Sequence, residues 1–138
     1  MPLNLTDLIQ VLVDEGLLVA SSVTARSHLD KRDALIERSG RESEIKSFLS
    51  QYDALMRLAE AVVAGKGFQF GDSPHLAMKR IVAFLDPSIS RSELDFVSSE
   101  RHKSKKQGST PSPAAAGLLA AWNERLPLLP VAKECLEG

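Results

Sequence analysis

A long amphipathic pattern between Glu42 and Ala64 constrains the fold more than any other part of the chain. Apolar side chains recur there every three or four residues, the spacing of one face of an α-helix, at Ile45, Phe48, Leu49, Tyr52, Leu55, Met56, Ala59, Val62 and Val63. The positions between them are mostly polar or charged, which suits a solvated face. Gly65 and Gly67 follow and are expected to end the helix as left-handed caps. The pattern predicts a helix of about six turns.

Weaker patterns predict further helices on both sides of this one. Ser73 is expected to cap a helix that starts at Pro74 and ends before residue 86. Ser90 and Glu93 have the spacing of a capping box that opens a helix reaching about residue 103. Other helices are predicted near residues 6–15, 23–38 and 114–126. No segment alternates with period two for long enough to predict a strand.

These patterns predict one all-α domain that covers residues 1–138, a single bundle of five to six helices. No repeat appears in the sequence, and no linker divides it. Within this domain, residues 1–22 are expected to form a short N-terminal helix and loop. Residues 127–138 are expected to form a tail that is mobile or adds one or two helical turns, because Pro127 and Pro130 interrupt the preceding helix.

Charge and composition exclude several classes of function. The 138 residues include 17 Lys and Arg and 18 Asp and Glu, so the net charge is −1. This charge excludes a protein that coats nucleic acid with a generally basic surface. Cys135 is the only cysteine, which excludes an internal disulfide. The N-terminus lacks the features of a signal peptide, and the longest uncharged apolar stretch, 114–122, is about half a membrane span. We therefore expect a soluble, cytoplasmic protein that does not enter a membrane.

The residues that could support metal or nucleophilic chemistry are scattered along the chain. His28, His75 and His102 fall on three different predicted elements, and none has a histidine or acidic residue four positions away. We therefore expect no metal site and no cofactor. No Gly-x-Ser-x-Gly motif occurs, and Gly65-Lys66-Gly67 follows a helix and lacks the Ser or Thr of a phosphate loop.

One local run departs from the even charge distribution. Four permanent cations and a histidine occupy five of the six positions from Arg101 to Lys106. Cations at the end of a helix complement its dipole, so the run is compatible with a purely structural role. The same clustering suits a site for phosphate groups, where binding releases counterions. The residues alone leave both interpretations open, with the structural one favoured.

Three passages of the chain, taken in order, resemble one known family. The stretch from Gln51 to Phe68 resembles the central helix of HEPN domains (higher eukaryotes and prokaryotes nucleotide-binding superfamily), which runs into a Gly-aromatic turn. His75, in Pro74-His75-Leu76, stands where a histidine opens the next helix of such domains. The segment 99–108 resembles their Arg-His pair with following basic residues and glycine turn, and the element order is similar over nearly the whole chain.

This resemblance implies a divergent prokaryotic HEPN-like bundle, a homodimer built on the long helices, and a polar site near the Arg-His pair. The implied ligand-binding residues are Arg101, His102, Lys103, Lys105 and His75. Active HEPN ribonucleases carry a histidine four to six residues after the arginine, where this chain has Lys105, Lys106 and Gln107. Catalysis is therefore not carried over from the family.

Three functions remain open at this point. The first is a non-catalytic protein of a toxin–antitoxin or defence module that binds a partner such as a nucleotidyltransferase, as HEPN-like domains do. The second is a metal-independent ribonuclease toxin that uses Arg101 and His102, completed across a dimer by His75. The third is RNA or nucleotide binding through the run from Arg101 to Lys106. A homodimer is also expected from the long helix, because Met56 and Leu58 widen its apolar face.

Overall fold

The computed structural model describes residues 4–137 and places most of them in helices. These are α1 (Leu5–Asp14), α2 (Ala25–Ser39), α3 (Glu44–Ala64), α4 (Pro74–Leu85), α5 (Arg91–Gln107), α6 (Pro113–Arg125) and α7 (Pro130–Glu137). Two short strands, β1 (Leu18–Ala20) and β2 (Phe68–Phe70), and a 3₁₀ turn at Leu126–Leu128 complete the described elements. The predicted all-α bundle is confirmed. The described residues hold seven α-helices rather than five or six, because the segment after Pro130 forms α7.

Helix α3 is the centre of the bundle. Helices α2, α4, α5, α6 and α7 and strand β2 all pack against it. Because neighbours surround it, seven of its apolar residues have no exposed surface: Ala54, Leu55, Leu58, Ala59, Ala61, Val62 and Val63. Met56 also packs against this core. The apolar surplus from which we predicted a homodimer is thus covered within one chain, and the dimer itself stays a prediction.

The sequence patterns missed a small antiparallel sheet. Leu18 pairs with Phe70 and Ala20 with Phe68, so the sheet joins the segment after α1 to the segment after α3. A glycine with positive φ precedes each strand, Gly16 at 76° and Gly67 at 91°, and turns the chain out of the helix. Strands of three residues are too short to show a period-two pattern, so the expectation of no strand was wrong.

The helix ends partly follow the predicted capping chemistry. Ser90 and Glu93 form the expected capping box at the start of α5. Ser73 precedes α4 as predicted, but its side chain makes no cap hydrogen bond, so that part of the prediction was wrong. Gly65 ends α3 with a φ of −61° and is not left-handed, whereas Gly67 has the left-handed conformation.

The C-terminal segment continues the bundle. Residues 130–137 form α7, and Ala132 on this helix is completely buried in the core. Pro130 begins this helix, a position where proline is well tolerated because its missing N–H is not needed. Among the helices of residues 4–137, none is long and apolar enough to cross a membrane.

Candidate functional site: a basic surface around Tyr52

Tyr52 places a buried hydroxyl group on the central helix α3. Its side chain is 1% exposed and lies in the apolar stripe of α3. Its hydroxyl is 3.0 Å from Nδ1 of His75, in the first turn of α4, and 3.3 Å from Oγ of Ser98 on α5. The hydroxyl of Tyr52 therefore joins three helices by hydrogen bonds, which is how a buried tyrosine is usually satisfied.

Arg101 lies over the ring of Tyr52. Its Cζ atom is 5.3 Å from the ring centroid, within the range of a cation–π interaction. The side chain is half-buried, and its Nε atom is shielded from solvent without a hydrogen-bond acceptor. Within residues 4–137, Arg101 makes neither a hydrogen bond nor an ion pair through its guanidinium. Of the five N–H donors that a guanidinium offers, the Nε–H is thus sealed without an acceptor, whereas the donors of the two terminal nitrogens are not sealed.

The face of α5 that carries Arg101 adds a second cation. Ser98, Arg101 and Lys105 follow one another at three and four residues and so share one stripe of the helix. Lys105 is exposed and, within the described part of the chain, pairs with no carboxylate. On α4, Lys79 follows His75 by one turn, and its Nζ atom is 2.9 Å from Oδ1 of Asp95. We call Tyr52, His75, Ser98, Arg101 and Lys105 the Tyr52 cluster.

The surroundings of the cluster shift the pKa of two members. Burial lowers the pKa of His75 below its ordinary value of 6.5, and the nearby charges of Arg101, Lys79 and Lys105 lower it further, against the opposing effect of Asp53. Burial also raises the pKa of Tyr52, against the hydrogen bond from Ser98 and the charge of Arg101. At neutral pH both rings are therefore neutral, and the positive charge of the cluster comes from Arg101 and Lys105.

The structure divides the predicted site residues into two groups. His75 and Arg101 both contact Tyr52 within a single chain, and Lys105 lies on the same stripe of α5 as Arg101. His102 and Lys103 are exposed, and their positions around the axis of α5 are about 100° and 200° from that of Arg101. Oε2 of Glu100 lies 3.7 Å from the Lys103 ammonium. The basic run is thus continuous in sequence but splits between different faces of the helix.

Two members of the cluster, Tyr52 and Ser98, were not predicted as site residues. Tyr52 fits the apolar stripe of α3, and the sequence offers only its hydroxyl as a sign of a polar role. Ser98 precedes Arg101 by three residues, so a helical projection of α5 places the two on one face. No signal in the sequence shows that α3 and α4 meet this face.

A second polar contact, away from the cluster, involves His28 on α2. His28 is 3% exposed, its Nδ1 atom is 3.3 Å from a guanidinium nitrogen of Arg57, and its Nε2 atom has no hydrogen-bond partner. Glu60, one turn after Arg57, accepts a hydrogen bond from the backbone N–H of Phe70 at 3.2 Å. Burial lowers the pKa of His28, with Arg57 and Lys31 adding to the effect and Glu60 opposing it. This arrangement fastens α2 and β2 to α3.

Cavities occur elsewhere in the fold. One of about 330 Å³ lies between α2, α3 and α6, where Arg32 donates to the backbone carbonyl of Asn123. Another of about 480 Å³ lies beside α1 and α7 and is lined by Lys66, Phe84 and Cys135 among others. The atoms Arg32 Nε and Asn123 Oδ1 have no partner but are sealed from solvent, so the first cavity does not present them to a ligand. Within residues 4–137, no three His, Cys, Asp or Glu side chains are grouped to hold a metal ion.

The comparisons with known proteins add no relative. The chain matches no protein-family model, and no curated protein and no solved structure is significantly similar to it. The chemistry of the Tyr52 cluster is therefore the basis for assigning a function.

Proposed function

We propose that this chain is a divergent, non-catalytic HEPN-like helical protein that binds phosphate groups of RNA or of a nucleotide at the Tyr52 cluster. The observation that carries the proposal is Arg101, a half-buried guanidinium whose donors have no acceptor within residues 4–137. The HEPN assignment rests on the resemblance of the segments 51–68 and 99–108. A role in a toxin–antitoxin or defence module follows from that resemblance alone.

The position of Arg101 favours an anionic ligand over a structural role. A buried donor without an acceptor costs about 1–3 kcal/mol, and the sealed Nε–H of Arg101 carries this cost without being reachable by a ligand. The two terminal nitrogens of the guanidinium also lack an acceptor among residues 4–137 but are not sealed, so they are the donors that a ligand can reach. The ring of Tyr52 fixes the guanidinium from one side, which reduces the entropy that binding has to remove. The planar fork of the guanidinium matches two oxygens of a phosphate group.

Neighbouring charges favour phosphate groups as the ligand. Lys105 lies four residues after Arg101, about 6 Å along the helix axis, and supplies a second cation on the same face. Lys79 is held by Asp95 and so contributes less free charge. Two cations on an otherwise neutral protein attract a polyanion locally, although the net charge of −1 excludes a general attraction.

Binding of a short single-stranded RNA tests the proposal. Fluorescence anisotropy with a labelled oligouridylate should show binding that weakens steeply with salt, because each phosphate contact releases a counterion. Arg101→Ala should remove most of the binding and lower the slope against log salt by about 0.7, the value for one phosphate contact on a single strand. Lys105→Ala should weaken binding in the same way.

Lys106→Ala is the matched control for this experiment. Lys106 is exposed on the same helix and carries the same charge, but it lies about 140° from Arg101 around α5. Competition with a mononucleotide and with inorganic phosphate distinguishes an RNA chain from a smaller ligand. The proposal fails when the wild-type protein does not bind, or when Lys106→Ala weakens binding as much as Arg101→Ala.

A metal-independent ribonuclease is the second candidate function. The observation that favours it is the position of His75 beside Arg101 in one chain, because RNA cleavage needs a proton-transfer group near the phosphate. His102, the histidine expected from the sequence, is exposed on another face of α5. Cleavage of the same oligonucleotide on a denaturing gel in the presence of a chelator, lost in His75→Gln and kept in His102→Gln, would establish this activity instead.

Two partners remain proposals that rest on the resemblance. A nucleotidyltransferase from the same genomic neighbourhood should co-purify with the tagged chain, and a homodimer should give twice the mass of 15.0 kDa by light scattering. A monomeric mass at high concentration would remove the dimer.

A further inference from the structure

The two ring nitrogens of His75 have different surroundings. Its Nδ1 atom lies 3.0 Å from the hydroxyl of Tyr52, and this hydroxyl lies 3.3 Å from Oγ of Ser98. The ring is half-buried, and its Nε2 atom has no hydrogen bond to another described residue and is not sealed from solvent. One nitrogen of His75 is therefore fixed by the protein, and the other is available to a ligand.

We propose that His75 is a direct phosphate-binding residue of the Tyr52 cluster and that it takes up a proton when the phosphate binds. This inference rests on the proposed function, since it requires that phosphate groups bind beside Arg101. In the bound state, Nε2–H of His75 donates to a phosphate oxygen, and His75 adds a third positive charge to those of Arg101 and Lys105.

The hydrogen bonds of Tyr52 permit both protonation states of His75. When the imidazole is neutral and its proton is on Nε2, the hydroxyl of Tyr52 donates to Nδ1 and accepts from the hydroxyl of Ser98. When the imidazole is protonated, Nδ1–H donates to the oxygen of Tyr52, and the hydroxyl turns to donate to Ser98. The proton is taken from solvent, and only the two hydroxyl hydrogens have to reorient. Both hydrogen bonds of the Tyr52 hydroxyl are therefore kept in either protonation state.

The charges that face His75 explain why protonation is linked to binding. From α5 it faces Arg101 and Lys105, from its own helix Lys79, and from α3 the carboxylate of Asp53 and the neutral Tyr52. Burial and the three cations favour the neutral ring in the free protein. A phosphate anion between His75 and Arg101 offsets this repulsion, so it must raise the pKa of His75, and by reciprocity a lower pH must strengthen binding.

The pH dependence of RNA binding tests this inference. The probe is a short oligouridylate with a dye that does not titrate, because neither its phosphodiesters nor its bases change charge between about pH 8 and pH 5.5. The affinity of the wild-type protein should increase as the pH falls, by up to about tenfold per pH unit where one proton is taken up. His75→Gln keeps a partner for the hydroxyl of Tyr52 but cannot be protonated, so its affinity should not depend on pH.

His102→Gln is the matched control, because it removes a histidine next to Arg101 in sequence but on another face of α5. Tyr52→Phe should move the rise in affinity to lower pH, because protonated His75 then loses the acceptor for Nδ1–H. On the wild-type protein itself, imidazole NMR should show a higher pKa of His75 with RNA than without it, which keeps the test valid if a variant misfolds.

The outcomes separate the two proposals. Binding that does not depend on pH, a dependence that survives in His75→Gln, or an unchanged pKa of His75 on binding would overturn the role of His75 and leave phosphate binding intact. Absence of binding at every pH would overturn the proposed function itself.

Discussion

Replacing Arg101 by methionine should leave the protein at least as stable as the wild type, although the change removes the central charge of the proposed site. A residue selected for binding rather than for folding often costs stability where it stands. Arg101 fits this description because it has no carboxylate or carbonyl partner among residues 4–137, and because its Nε atom is shielded from water. The free energy of unfolding therefore discriminates between the structural and the functional interpretation of this residue.

The magnitude follows from three contributions. The loss of the cation–π contact with Tyr52 costs about 0.5–1 kcal/mol. The removal of a shielded donor without an acceptor gains about 1–3 kcal/mol. Methionine has a helix propensity close to that of arginine, and its thioether can still cover the ring of Tyr52, so packing is largely kept. The expected net effect lies between about 0 and 2.5 kcal/mol of stabilisation.

Urea denaturation followed by far-UV circular dichroism measures this difference. Lys106→Met is the control, because it removes the same charge from an exposed position of the same helix; the loss of a cation from the last turn should lower stability by about 0.3–1 kcal/mol. A loss in Arg101→Met that exceeds the loss in the control by more than about 1 kcal/mol would refute the reasoning. Arg101 would then be a structural residue, and its unused donors would not indicate a ligand.

Three further predictions concern the rest of the fold. Ser90→Ala should lower the free energy of unfolding by about 1 kcal/mol, because it removes the cap of α5, whereas Ser73→Ala should have almost no effect, because Ser73 makes no cap bond; equal losses in denaturation would contradict this. Leu58→Ala should cost about 2–5 kcal/mol in the same assay, because the side chain has no exposed surface, and a cost below about 1 kcal/mol would show that α3 is not the centre of the core. The unfolded chain binds a proton at His28 near pH 6.5, while burial keeps this ring neutral in the folded state, so stability should be fully present above about pH 7 and decline as the pH falls below 6.5. Urea denaturation at several pH values should show a weaker decline in His28→Gln, and an identical decline would exclude His28 as its source.

The main features of the fold were predictable because they depend on local patterns. The apolar repeat of α3 extends over 21 residues, so chance cannot imitate it easily. The width of its apolar face was interpreted as a dimer surface, whereas helices of the same chain surround α3. The strands were not predictable, because each has three residues and the two are joined by pairing between Leu18 and Phe70, far apart in the chain. Helix α7 was underestimated because Pro130 was interpreted as a break, whereas proline also begins helices.

The candidate site was only partly predictable, and the reason lies in what a basic run contains. Lys105 and Lys106 lie in the last turn of α5, where cations also stabilise the helix dipole, so their presence does not by itself indicate a ligand. Arg101 lies more than one turn before these lysines, so the helix dipole has little effect on it. It is the member of the run whose side chain lies over the ring of Tyr52. Because α3 contributes Tyr52 from about fifty positions earlier, no local pattern could connect the two residues. Tyr52 therefore connects the run to a second helix, because its ring contacts Arg101 while its hydroxyl holds His75 of α4.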